Sequence, residues 1–77
     1  MNKQRRKEIE GIVGDLEDLR DKLQGLQEEE QEAFDNLPEG IQDSERGTAI
    51  SDNADDLDSA ANDIDSVIDT LNEILER

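Results

Sequence analysis

A heptad repeat of apolar residues runs through the second half of the chain and constrains its fold more than any other feature. From Ile50 to Leu75, apolar residues recur at alternating intervals of four and three residues. This spacing places them along one side of a long α-helix, and a stripe this regular needs a second helix to cover it. The opposite side is rich in aspartate. The stripe contains Ile50, Ala54, Leu57, Ala61, Ile64, Ile68, Leu71 and Leu75.

The first half of the chain carries the same repeat with one polar interruption, Glu30. The sequence predicts a first helix over about residues 2–34, a link over residues 35–44 and a second helix over about residues 45–76. Pro38 ends the first helix because proline lacks the amide that a helix requires. Ser44 is a favourable N-cap for the second helix. The members of the first repeat are Ile9, Ile12, Leu16, Leu19, Leu23, Leu26, Glu30 and Ala33.

Folding the chain at the link pairs both repeats in a single register. Leu16 lies opposite Ile68 and Leu19 lies opposite Ile64, and the same register holds along the whole length. The predicted fold class is therefore all-α: one domain over residues 1–77, folded as an antiparallel helical hairpin of the coiled-coil type. The register also brings a basic N-terminal segment near acids of the second helix, so we expect ion pairs there. The basic residues are Lys3, Arg5, Arg6 and Lys7, and the acids are Asp69, Glu73 and Glu76.

A hairpin of two helices leaves part of its apolar surface uncovered. The stripe of the second helix is widened at heptad position g, which is typical of a helix with more than one neighbour. The chain has 77 residues and no cysteine, so association is its remaining way to gain stability. We expect a homodimer in which two hairpins form a four-helix bundle; the alternative is a hairpin that completes itself on a different protein. The expected interface residues are Phe34, Leu37, Ile41, Ala60, Val67 and Ile74.

Acidic residues dominate the remaining surface. The chain has 23 acidic and 8 basic residues, giving a net charge of −15. This charge opposes direct binding to nucleic acid or to an anionic membrane surface. No apolar run is long enough for a signal peptide or a membrane span, so we expect a cytoplasmic protein.

The sequence contains no pattern typical of catalysis or of cofactor binding. Histidine and cysteine are absent, and no serine has an evident activating partner. No glycine-rich loop is followed by a phosphate-binding lysine. The acidic run from Asp52 to Asp58 does not fit an EF-hand, and its exposed helix face has a simpler interpretation as a solvated surface than as a weak cation site. We therefore expect neither enzyme activity nor a bound metal or cofactor.

The carboxylates are spaced along the helices at nearly the charge density of DNA. With a rise of about 1.5 Å per residue, both helices together present one acid per roughly 2 Å, against one phosphate charge per about 1.7 Å of duplex. A rigid acidic rod of this kind suits the basic groove of a nucleic-acid-binding protein. The residues predicted to bind such a partner are Asp52, Asp55, Asp56, Asp63, Asp69 and Glu73.

Two segments carry a resemblance to known proteins: residues 36–42, NLPEGIQ, and residues 44–47, SERG, followed by the Asp-rich heptads. Over its whole length the chain resembles small acidic helical proteins of phages and bacterial mobile elements. It is also similar in size and charge to phage inhibitors of host defence, such as anti-CRISPR proteins. The resemblance itself implies no activity or binding residues, but the similarity to phage inhibitors favours the DNA mimicry expected from the charge, in the cytosol of a bacterial or phage-infected cell. The alternative function is a structural or assembly adaptor that acts through its coiled-coil faces without mimicry.

Overall fold

A computed structural model describes every residue from Met1 to Arg77 and contains three helices. These are α1 (Lys3–Asp35), α2 (Glu39–Gln42) and α3 (Glu45–Leu75). The two long helices pack against each other, and the Cα atoms span 59 × 15 × 13 Å. The all-α class and the helical hairpin are therefore confirmed. Both long helices begin and end within one residue of the bounds expected from the sequence.

Local sequence sets the ends of the helices. The side chain of Asn2 accepts a hydrogen bond from the amide of Arg5 at 2.8 Å, and that of Ser44 accepts one from the amide of Gly47 at 3.3 Å. Both residue types favour N-caps because their side-chain oxygens satisfy free amides of the first turn. In the link, the side-chain amide of Gln42 donates to the carbonyl of Phe34 at 3.2 Å and ties α2 to the end of α1.

Gly47 is the point where the link and α3 approach most closely. Gly47 is buried, and a Cβ atom there would lie 2.2 Å from the carbonyl oxygen of Gln42 and 2.5 Å from that of Ile41. No side chain fits against backbone at these distances. The segment Ser44–Gly47 thus has a structural role, since Ser44 caps α3 and Gly47 lets its first turn pass close to α2.

The core follows heptad position a of α3, where small residues are buried, and the position-a residues of α1 that face it are half-buried. Ala54 and Ala61 are 0% and 1% exposed, and Ile68 is also buried. The register is visible in the hydrogen bond from Arg20 to Asp65, at 2.7 Å. Arg20 lies one turn after Leu16, and Asp65 lies about one turn before Ile68, so this contact supports the predicted pairing of Leu16 with Ile68.

The hairpin covers position d of α1 only in part. Val13, at position e, is the one buried residue of α1. In contrast Ile12, Leu19 and Leu26, at position d, are 50%, 50% and 49% exposed. Two helices touch along a single line, so positions on either side of that line remain open unless a side chain folds across it. On the side of position e, the side chain of Arg20 crosses the contact line between the helices and reaches Asp65 of α3. No side chain of this kind covers the side of position d.

The expected ion pairs of the basic N-terminal segment are absent. All recorded ion pairs involve Arg20, with Asp21 at 3.3 Å and with Asp65 at 2.7 Å. Arg6 instead donates a hydrogen bond to the carbonyl of Leu75. The prediction was wrong because the last turn of α3 contains no basic residue, and its free carbonyls attract the guanidinium.

Candidate interaction surfaces

The carboxylates predicted to bind a partner are all exposed and all lie on α3. They occupy heptad positions other than a and d, so they lie off the contact with α1, although Asp56 also borders a groove between the two helices. None of them lies within ion-pair distance of a basic side chain. We call this surface the carboxylate face. Its residues are Asp52, Asp55, Asp56, Asp63, Asp69 and Glu73.

A polar contact that the sequence reasoning missed closes one side of the hairpin. Arg20 donates from Nη1 to Asp65 and from Nε to Asp21, at 2.7 Å and 3.3 Å. The hydrogen bond to Asp65 raises the pKa of Arg20 above its ordinary value, and the carboxylate of Asp21 adds to this effect. The signal in the sequence was a base at position e in the middle of α1, facing an acid in the predicted register.

The opposite side of the hairpin carries an exposed apolar strip. Antiparallel helices that pack through their a positions present both sets of d residues on one side and both sets of e residues on the other. On the d side, three α1 residues are half exposed and their neighbours on α3 are half-buried. We call this side the open face. It contains Ile12, Leu19 and Leu26 of α1, with Leu57, Ile64 and Leu71 of α3.

Half of the residues predicted to form an oligomer interface border this open face. Ala60, Val67 and Ile74 lie at position g of α3, one step beyond its d residues. Val67 is 49% exposed, and the other two are half-buried. The sequence missed the contribution of α1 to the same surface, because its heptad repeat alone assigned the d residues to the contact with α3.

The remaining predicted interface residues lie elsewhere, at the link end of the hairpin. Phe34 and Leu37 are half-buried, and Ile41 is 41% exposed. Phe34 occupies position e, on the side closed by Arg20. The structure therefore does not bring the six predicted interface residues together into one surface.

A groove of about 400 Å³ opens on the hairpin near the link. Its apolar part is formed by Leu26 and Leu57. The groove lies beside Glu30, the polar residue that interrupts the apolar repeat of α1. The groove is rimmed by Glu29, Glu30, Asn53 and Asp56.

Other classes of site find no support in the structure. No three acidic side chains converge on a point suited to a metal ion. None of the helices combines the length and apolarity needed to cross a membrane. Comparisons with protein-family models, curated proteins and solved structures found no match to this chain. The carboxylate face and the open face are therefore the two candidate binding surfaces of the protein.

Proposed function

We propose that this protein is an acidic protein-binding module whose carboxylate face occupies the nucleic-acid-binding groove of a basic protein. In this proposal it acts as a phage-type inhibitor, a DNA mimic of the anti-CRISPR kind, in the bacterial cytosol. It works as a homodimer in which two hairpins form a four-helix bundle. The observation that carries the proposal is the row of exposed, unpaired carboxylates along a rod with a net charge of −15.

Dimerisation brings the charge density of the rod close to that of DNA. One hairpin carries 15 net negative charges over a length of 59 Å, or one per about 4 Å. Two hairpins side by side double this to one per about 2 Å, against one per about 1.7 Å in duplex DNA. A basic groove shaped for duplex would therefore meet a comparable field on the dimer.

The rigidity of α3 favours this use of its acids. The carboxylate face lies on a single helix of 31 residues, so the relative positions of its charges are fixed before binding. Charges that are already arranged lose little entropy on association. They also speed the encounter with an oppositely charged surface, in a manner that salt weakens.

The test is capture from a bacterial lysate followed by competition with duplex DNA. We expect the immobilised protein to retain basic nucleic-acid-binding proteins that duplex DNA or high salt releases. Replacing Asp55, Asp56, Asp63 and Asp69 together with Asn should reduce this capture at least tenfold, because it removes four charges from the contact surface. The captured protein would be identified by mass spectrometry, and its binding to labelled duplex would then be measured with and without the inhibitor.

The matched control removes the same number of charges from α1. In this control, Glu10, Glu17, Glu28 and Glu32 are all changed to Gln. It removes four negative charges, as the Asp-to-Asn variant does, but leaves the carboxylate face intact. We expect it to retain most of the capture. Equal losses in both variants, with helical content unchanged, would show that total charge matters and that the carboxylate face has no special role.

The open face favours a second candidate function, that of a structural or assembly adaptor without mimicry. Half-exposed residues such as Leu19 and Val67 form an uncharged docking strip that needs no basic partner surface. The same capture experiment separates the two functions. An adaptor would retain its partner in high salt and in the presence of duplex DNA, and the Asp-to-Asn variant would bind as well as the original chain.

A further inference from the structure

We infer that a second copy of this chain covers the open face, with α1 packed on α1 of that copy and α3 packed on its α3. The two-fold axis passes through the layer of Leu19 and Ile64. This inference rests on the dimer in the proposed function and assigns its contact surface and its arrangement.

The protomer has little core of its own. Its buried apolar residues are Val13, Ala54, Ala61 and Ile68, and no large side chain is fully buried. The open face has an apolar centre, and its residues repeat every seven positions on both helices. A surface with this repeat can pack on a copy of itself, since a two-fold rotation about the central layer places Ile12 against Leu26 of the second copy.

The charges of α1 favour its pairing with a second α1. The helix has no acid in its first turn and no base in its last turn, so its charges oppose its own dipole at both ends. The basic residues near Arg5 lie at one end and the acids near Glu29 lie at the other. In an antiparallel pair of α1 helices, each basic end meets the acidic end of the other copy.

A central ion pair follows from the same arrangement. Lys22 and Asp15 border the open face on α1, and neither forms an ion pair within the hairpin. Lys22 lies three residues after Leu19 and Asp15 lies four before it. The two-fold rotation therefore places Lys22 beside Asp15 of the second copy. The symmetry-related pair, Asp15 with Lys22 of the second copy, forms in the same way.

The edge of α3 excludes the alternative arrangement, in which α1 of the second copy packs antiparallel on α3. That edge is uncharged and contains Ala60, Val67 and Ile74. If α1 of the second copy lay on α3, its charged edge with Asp15 would cover Val67, and a charge would be desolvated without a partner. Packing α3 on α3 buries the apolar edges against each other instead.

Disulfide trapping tests the arrangement directly, because the chain contains no cysteine. Single variants Leu19→Cys and Ile64→Cys would be oxidised mildly and compared with Asp18→Cys, which places the thiol on the outer side of α1. We expect both open-face variants to form disulfide-linked dimers at least roughly tenfold faster than the control, because only their Cα atoms approach within disulfide range across the axis. Circular dichroism and light scattering would confirm that each variant folds and would give its mass.

Each other outcome contradicts a different part of the inference. If a mixture of Leu19→Cys and Ile64→Cys gives only the mixed disulfide, α1 lies on α3 and the arrangement is wrong. If the protein is dimeric but neither variant, alone or in the mixture, exceeds Asp18→Cys, the open face is not the interface. A monomer at every concentration would remove the dimer altogether, whereas the duplex-competition experiment judges the carboxylate face independently.

Discussion

The absence of a side chain at Gly47 lets the first turn of α3 lie against two carbonyl groups of the link. The contact is with backbone atoms of Ile41 and Gln42, which cannot rotate away as a side chain would. Gly47 also donates its amide to the capping oxygen of Ser44. One residue therefore joins the cap of α3 to the close packing of α2, and it fixes how the chain reverses.

We expect Gly47→Ala to destabilise the protein by about 1–3 kcal/mol. The new Cβ would lie within 2.6 Å of the Gln42 backbone, so the link has to move, as in other overpacked sites. The measurement is urea unfolding followed by far-ultraviolet circular dichroism. The control is Gly25→Ala, where a Cβ meets nothing within 4 Å and the helix should gain about 0.5–1 kcal/mol. Equal effects of the two changes would show that the close approach at Gly47 is not present in solution.

At the scale of the element, α1 and α3 divide their roles in the seam. α3 contributes small buried residues, Ala54 and Ala61, which allow the helices to approach. α1 contributes larger half-buried residues and, at Glu30, a carboxylate in the middle of the apolar line. Glu30 forms no ion pair or side-chain hydrogen bond and borders the groove at the link end. The seam is weakest at this layer.

Replacing Glu30 with Leu should therefore stabilise the hairpin. The new side chain fills the groove beside Leu26 and Leu57, and half-burial of a leucine is worth about 1 kcal/mol. The nearby change Glu28→Leu removes the same charge at an exposed position outside the groove and serves as the control. We expect the unfolding midpoint in urea to rise clearly more for Glu30→Leu. A similar rise in both variants would attribute the effect to reduced negative charge alone.

For the whole molecule, the dominant quantity is its uncompensated charge. A net charge of −15 on a rod of 59 Å causes electrostatic repulsion within one hairpin and also between two hairpins that associate. Dimerisation is thus opposed by the same charge that we propose for partner binding. The open face offers the contact with the least repulsion, because its central strip is apolar.

Salt should therefore have opposite effects on self-association and on partner binding. Raising sodium chloride from about 0.01 M to about 1 M shortens the screening length from roughly 30 Å to roughly 3 Å. We expect the melting temperature and the dimer fraction to rise, while capture of a basic partner falls. Calorimetry and sedimentation would measure the first two, and sodium sulfate at equal ionic strength would separate screening from surface exclusion. A melting temperature that falls with salt would mean that attractive ion pairs dominate the fold.

The sequence by itself determined the two long helices, the reversal near Pro38 and the register of the hairpin. These follow from a seven-residue repeat and from the helix signals at Pro38 and Ser44, all of which are local properties of the chain. It also showed that most carboxylates of α3 lie off the apolar stripe and are therefore exposed, whereas Asp65 contacts Arg20 of α1.

Only the tertiary structure decided how α1 is rotated about its own axis. A heptad repeat does not distinguish which side of the contact line a second helix covers, so the exposure of Ile12, Leu19 and Leu26 was not visible in it. That choice depends on contacts distant in sequence, chiefly Arg20 with Asp65 and Arg6 with the carbonyl of Leu75. The close approach at Gly47 is of the same kind, because it arises from the path of the link and not from the helix propensities on either side.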